Sequence, residues 1–96
     1  MTSSVQTLKL AVCLFDDVAF LDFSGPMESI GFLAPWNVLN AGLTHVDSKV
    51  AIEAVYLGPS EAPVKPTTGP AMVPTKTYDD VRDDEQFDII IVPGGL

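Results

Sequence analysis

Three kinds of residue in this 96-residue chain have types and neighbours that could do chemistry. The first is an aspartate, Asp22, in the run Leu21-Asp22-Phe23-Ser24-Gly25-Pro26. The second is the glycine pair Gly94-Gly95, which follows four β-branched residues (Ile89 to Val92) and Pro93. The third is a single thiol, Cys13. On its own, Asp22 reads as a charge placed at a helix start. Gly94-Gly95 reads as a tight turn after a strand; a turn without side chains also lets a ligand approach the backbone. It is not a dinucleotide fingerprint, because no G-x-G-x-x-G is present. Cys13 lies inside an apolar run, where a free cysteine behaves as a small hydrophobe, so it is expected to be buried.

Other polar residues carry weaker signals. His45 stands in a polar stretch without a cysteine or carboxylate pattern around it and is expected to be solvent-exposed. Asp79, Asp80, Asp83, Asp84 and Glu85 form an acidic cluster whose spacing does not match a calcium loop. They are expected to form a solvated face. Glu28 is expected at N3 of a helix, and Trp36 is expected to pack.

The elements that must position these residues follow from composition and pattern. Hydrophobic residues make up 47% of the chain, enough for one small globular core. Thirteen acidic residues against five basic ones give a net charge of −8. Such a surface repels phosphate backbones and anionic membranes, so no nucleic-acid or membrane partner is expected for this segment. One cysteine permits neither an internal disulfide framework nor a zinc cluster. Residues 1–7 are polar, lack the basic start of a signal peptide, and are expected to be flexible. A reducing, cytoplasmic setting is expected.

Leu8 to Phe15 is apolar on both alternating faces, which predicts a strand covered on both sides, as in a parallel sheet. A turn at Asp16-Asp17 and a short helical turn near Val18 to Leu21 follow. Gly25-Pro26 is expected to interrupt that turn and to start a new helix, with Gly25 as N-cap and Pro26 at N1. Met27, Ile30, Leu33 and Ala34 would form its buried stripe, and Pro35 would end it. Val50 to Gly58 is the second strand, with Glu53 marking a place near the sheet edge. Residues 59–80 hold five of the eight prolines and cannot form a long helix. One helical turn is expected within Asp79 to Glu85, and Asp88 to Val92 is expected to be a central strand. The order β, α, β, proline-rich excursion, β is the opening half of a doubly wound α/β sheet. With one good helix, one sheet face is expected to be largely bare and prone to association.

Three stretches, in this order, resemble the DJ-1/PfpI family of the class I glutamine amidotransferase-like superfamily: Ala11 to Ile30 with its Leu-Asp-x-x-Gly-Pro, Thr67 to Asp80, and Phe87 to Gly95 with its strand and Pro-Gly-Gly turn. The resemblance implies the N-terminal half of a flavodoxin-like (Rossmann-like) three-layer sandwich with a mainly parallel sheet. Residues 8–96 would then be the N-terminal portion of a single domain. The family's nucleophilic cysteine belongs beyond Gly95, so the 96 residues by themselves are expected to be inactive. The resemblance places Asp22 as the catalytic acidic group beside that cysteine, where it would hydrogen-bond the sulfur or shuttle a proton. It places Gly94 and Gly95 around a developing oxyanion. Asp22 in the Leu-Asp-x-x-Gly-Pro pattern is similar to the isonitrile hydratase branch, which needs no cofactor or metal and acts on a small-molecule electrophile. The family implies a homodimer, with Trp36 as an alternative interface residue, or association with a complementary C-terminal chain. Alternatives are glyoxalase III-like or amidase chemistry, a sensor or binding domain of a transcriptional regulator with a DNA-binding segment after it, and an inactive fragment.

Overall fold

The computed structural model describes residues 5–39 and 47–95; His45 lies outside the described residues. Two long strands come from predominantly apolar sequence: β1 (Gln6–Cys13) and β2 (Val50–Gly58). They pair in parallel from Gln6↔Val50 to Cys13↔Leu57. β3 (Lys76–Thr77) adds to the end of β2, and β4 (Ile89–Ile91) pairs with the far side of β1. The sheet order is β3-β2-β1-β4, all parallel. β2 has the predicted bounds. β1 begins two residues before the expected Leu8, because Gln6 and Thr7 complete the ladder with Val50 and Ala51. β4 covers the middle of the expected Asp88 to Val92 and, like β3, is an outer strand among the described ones, with Ile90 and Val92 exposed.

The helix after β1 differs from the reading of Gly25-Pro26 as a break. α1 (Phe20–Ile30) runs through both residues, with Pro26 inside it. The hydrogen bond that Pro26 cannot donate is the one to the Asp22 carbonyl, four residues back. Pro26 and Asp22 are both exposed, so water can satisfy that carbonyl. Phe23 and Met27, one turn apart on the inner side, are buried against the sheet. Their burial, about 1.5–3 kcal/mol for each such side chain, outweighs the local cost of the proline. Glu28 is therefore not at N3 but in the later part of the helix, exposed. A 3₁₀ turn (Gly31–Leu33) and the short α2 (Pro35–Leu39) follow, with Val38 buried. Pro35 opens α2 rather than ending the chain's helical run. Trp36 is not a core residue; it is 66% exposed.

Leu10, Val12, Leu14, Val18, Phe23, Met27, Ile52 and Val64 make the main core, on the α1 face of the sheet. Leu8, Leu10, Val12 and Leu14 share this face as their alternation predicts. The opposite face is not bare. Residues 78–88 cross it as a strap, and Val81 and Phe87 pack on Ala11, Val55 and Leu57. The strap's helical turn is Tyr78–Asp80, earlier than expected, because Thr77 and Asp80 close a capping box there. No helix of the described residues is long and apolar enough to cross a membrane.

Candidate functional site

Three chain segments meet at the start of α1. The β1–α1 turn passes through Asp17, which holds φ at +68°, a left-handed conformation that short polar side chains tolerate. The excursion after β2 docks on it: Asp17 N–H donates to the Lys65 carbonyl at 2.8 Å, Lys65 N–H to Asp16 Oδ1 at 3.1 Å, and the Thr67 hydroxyl to the Asp17 carbonyl at 2.8 Å. The third segment is the turn after β4. Ala19 N–H donates to the Gly94 carbonyl at 2.8 Å, and Gly94 N–H donates to Asp22 Oδ2 at 2.8 Å.

That last pair has a clear local cause. Ala19 is the N-cap of α1 and offers no side-chain cap. Asp22 is the N3 residue, the place from which an acidic side chain ordinarily reaches back to the N-cap N–H. Here the Gly94 peptide is inserted between the two: its carbonyl takes the N-cap N–H and its N–H takes the carboxylate. One backbone unit thereby satisfies a helix start and seats the carboxylate. The structure thus brings Asp22 and Gly94, two residues far apart in sequence, into direct contact.

Gly94 and Gly95 have different reasons to be glycine. A Cβ on Gly94 would lie 3.0 Å from Asp22 Oδ2, the end of a rotatable side chain. A Cβ on Gly95 would lie 2.6 Å from the Asp17 carbonyl oxygen and 2.8 Å from Phe15 Cε2. Gly95 therefore lets the turn close on the β1–α1 turn, where it forms an isolated bridge with Val18. Beside Gly95 opens a cavity of about 390 Å³, walled also by Ala19, Phe20, Leu21, Thr67 and Thr68. None of its walls is ionisable, and Asp22 is not one of them.

Cys13 is elsewhere. It closes β1 on the strap face and is half-buried, not buried as its apolar neighbours suggest. The Tyr78 hydroxyl donates to the neighbouring Leu14 carbonyl at 2.8 Å. That phenol is pushed up to about 12, by desolvation first and by the Cys13 sulfur beside it second. On the same face Glu85 bridges Lys9 Nζ (2.9 Å) and Lys76 Nζ (3.0 Å), which corrects its assignment to a solvated acidic face. These two ammonium groups hold its carboxyl down at about 2, chiefly through the hydrogen bond from Lys9 and then that from Lys76. Among the described residues no group of three metal-ligating side chains could hold an ion. Sequence reasoning missed Phe20 and Thr67. Their roles are long-range, and only Gly69, which sits at φ +101° against the Phe20 ring, left a local sign.

A parallel α/β sheet whose first helix starts on a carboxylate, itself seated on a Pro-Gly-Gly turn, defines a class of fold and site rather than a single protein. The chain matches the DJ-1/PfpI family over residues 10–96 and belongs to that family. No curated protein matches it. Two solved structures share the fold. One is a THiJ/PfpI family protein from Pseudomonas syringae, 20% identical, with a TM-score of 0.67 over 95% of this chain and 30% of that one. The other is a DJ-1 superfamily protein from Agrobacterium tumefaciens, 24% identical, with a TM-score of 0.58 over 93% of this chain and 38% of that one. The chain thus spans about a third of the length of the solved structures it matches.

Proposed function

We propose that the complete protein is a cysteine-dependent, cofactor-independent hydratase that adds water to an isonitrile. The observation that carries this reading is the Asp22 carboxylate held on the Gly94 N–H at 2.8 Å, in the turn whose next residue, Gly95, walls a largely apolar cavity. A cysteine thiol from the family's part beyond Gly95 passes its proton by way of Asp22 to the isonitrile carbon, as the resulting thiolate forms a C–S bond to that carbon. Water then adds to the same carbon, its proton passing to Asp22. The C–S bond breaks, releasing an N-substituted formamide and regenerating the thiol. One water is consumed, and nothing is oxidised or reduced.

Each residue of this chain has one task in that sequence. Gly94 N–H fixes Asp22 through Oδ2, leaving Oδ1 for the sulfur or the water. Gly95 N–H is the amide of the turn left to face developing negative charge. The exposed Phe32, Trp36 and Leu39 fit the homodimer contact that the family resemblance implies. The test is formamide production by the complete protein from an alkyl isonitrile, followed by NMR. Asp22→Asn keeps the shape but loses the base, and turnover is expected to fall by about 10²–10⁴-fold. Unchanged turnover in that variant, or no formamide from the parent protein, would sink the reading.

A further inference from the structure

Two cavities meet at one side chain. The first is the space of about 390 Å³ beside Gly95. The second, about 410 Å³, lies between α1 and the Met72–Val73 segment, with Phe23, Met27 and Tyr56 among its walls. Among the described residues, Phe20 is the one that lines both. It is the first residue of α1, half-buried, so its ring projects from the same helix start that carries Asp22.

The ring is held from two sides. It meets Phe23 edge-on, with centroids 5.4 Å apart and planes at 81°. Gly69 backs it, close enough that a Cβ there would touch the ring at 3.5 Å. Gly69 also takes φ +101°, which disfavours any residue with a side chain. The turn that supports the ring is therefore committed to glycine. Each cavity alone is near the small end of the range for small-molecule sites, whereas the two joined would approach its upper part. Both are open clefts, so what the ring does is part the outer one, beside Gly95, from the inner one, between α1 and Met72–Val73, and bar a ligand seated in the first from extending into the second.

We propose that Phe20 is a specificity-determining partition: it limits the cleft beside Gly95 to a neutral substituent of about one ring and keeps a larger one from reaching across into the neighbouring cleft. The outer walls carry no ionisable group to pair with a charged substituent. The inner walls include Phe23, Met27, Tyr56 and Met72, apolar surface suited to the distal part of a bulkier ligand once the ring is removed, with Ser24 and Glu28 as the polar members. The proposal rests on the reading that the Asp22–Gly94 contact marks the reactive centre, but its test does not need turnover.

Binding of N-benzylformamide and of N-(naphthylmethyl)formamide to the complete protein is measured by calorimetry. The parent protein is expected to prefer the benzyl probe by about tenfold, as a pocket wall discriminates apolar groups. Phe20→Ala is expected to bring the two affinities within about twofold or to reverse their order, and Phe20→Leu to fall between. Phe20→Leu also serves if the alanine variant does not fold. An unchanged ratio in the variant that folds, equal affinities in the parent, or no binding of either probe overturns the proposal. A shifted ratio without hydratase turnover leaves the partition standing and rejects only the reaction. Turnover with an unshifted ratio does the reverse.

Discussion

On one face of the sheet, α1 lays Phe23 and Met27 over Leu10, Val12 and Ile52. On the other, the irregular strap of residues 78–88 lays Val81 and Phe87 over Ala11, Val55 and Leu57. The helix covers its face with a continuous apolar stripe and leaves its N-terminus free for polar work at Asp22. The strap sets two partly buried apolar side chains, Val81 and Phe87, against its face. It is tied down by Glu85 between Lys9 and Lys76, by the Lys9 ammonium 5.1 Å from the Phe87 ring centre, and by Asp88 on the Lys9 backbone. Regular structure on one side thus supplies stability and the site together. Irregular structure on the other needs charge to reach the same cover.

Matched valines probe that difference. Val12 is fully buried on the α1 face, and Val55 is buried on the strap face in the neighbouring strand. Val12→Ala in the complete protein is expected to cost about 2–3 kcal/mol in urea unfolding, since the cavity it leaves is enclosed by rigid neighbours. Val55→Ala is expected to cost about 1 kcal/mol, because an irregular strap can settle into the gap. Equal losses would erase the distinction between the two faces.

How much of this was legible in the sequence depends on where each signal was stored. β2 was readable to the residue because its apolar run is bounded by Ser48-Lys49 and by Gly58-Pro59. α1 was misread because Gly25-Pro26 is a strong local stop signal, and what overrides it is contact between Phe23, Met27 and strands remote in sequence. Asp22 and the Gly94-Gly95 turn could be singled out by type and by family resemblance. Their contact could not, because nothing in either local stretch announces that Gly94 takes the place of a capping partner. Glu85 was read as one of a solvated set for the same reason: its two lysines are 76 and 9 residues away.

The two glycines of the turn sharpen the comparison at the site itself. Gly95→Ala drives a Cβ into the Asp17 carbonyl and the Phe15 ring, neither of which can easily yield, and is expected to cost about 1–3 kcal/mol. Gly94→Ala meets only the mobile end of Asp22 and is expected to cost under about 1 kcal/mol in the same unfolding measurement. It would nevertheless move the carboxylate, so its loss should appear in turnover. The reverse pattern would mean that Gly94, not Gly95, is the structural member of the pair.

The smallest effect is expected at the strap, and it depends on pH. The folded Glu85 carboxyl titrates near 2, below the 4.5 of a free glutamate side chain, so the folded chain binds that proton less readily than the unfolded one. Its contribution is complete above pH 4.5 and is lost as pH falls from 4.5 toward 2. Glu85→Gln removes the charge at every pH. It is expected to lower the thermal midpoint slightly at pH 7 and to make little difference at pH 2, where the folded parent's carboxyl is itself about half protonated and most of its contribution is gone. Lys9→Met should lower the midpoint further than Lys76→Met, because Lys9 also faces the Phe87 ring and its loss frees both ties at once. If Glu85→Gln unfolds at the parent's midpoint at pH 7, the apolar contacts of Val81 and Phe87 suffice to hold the strap, and the two faces differ in regularity alone.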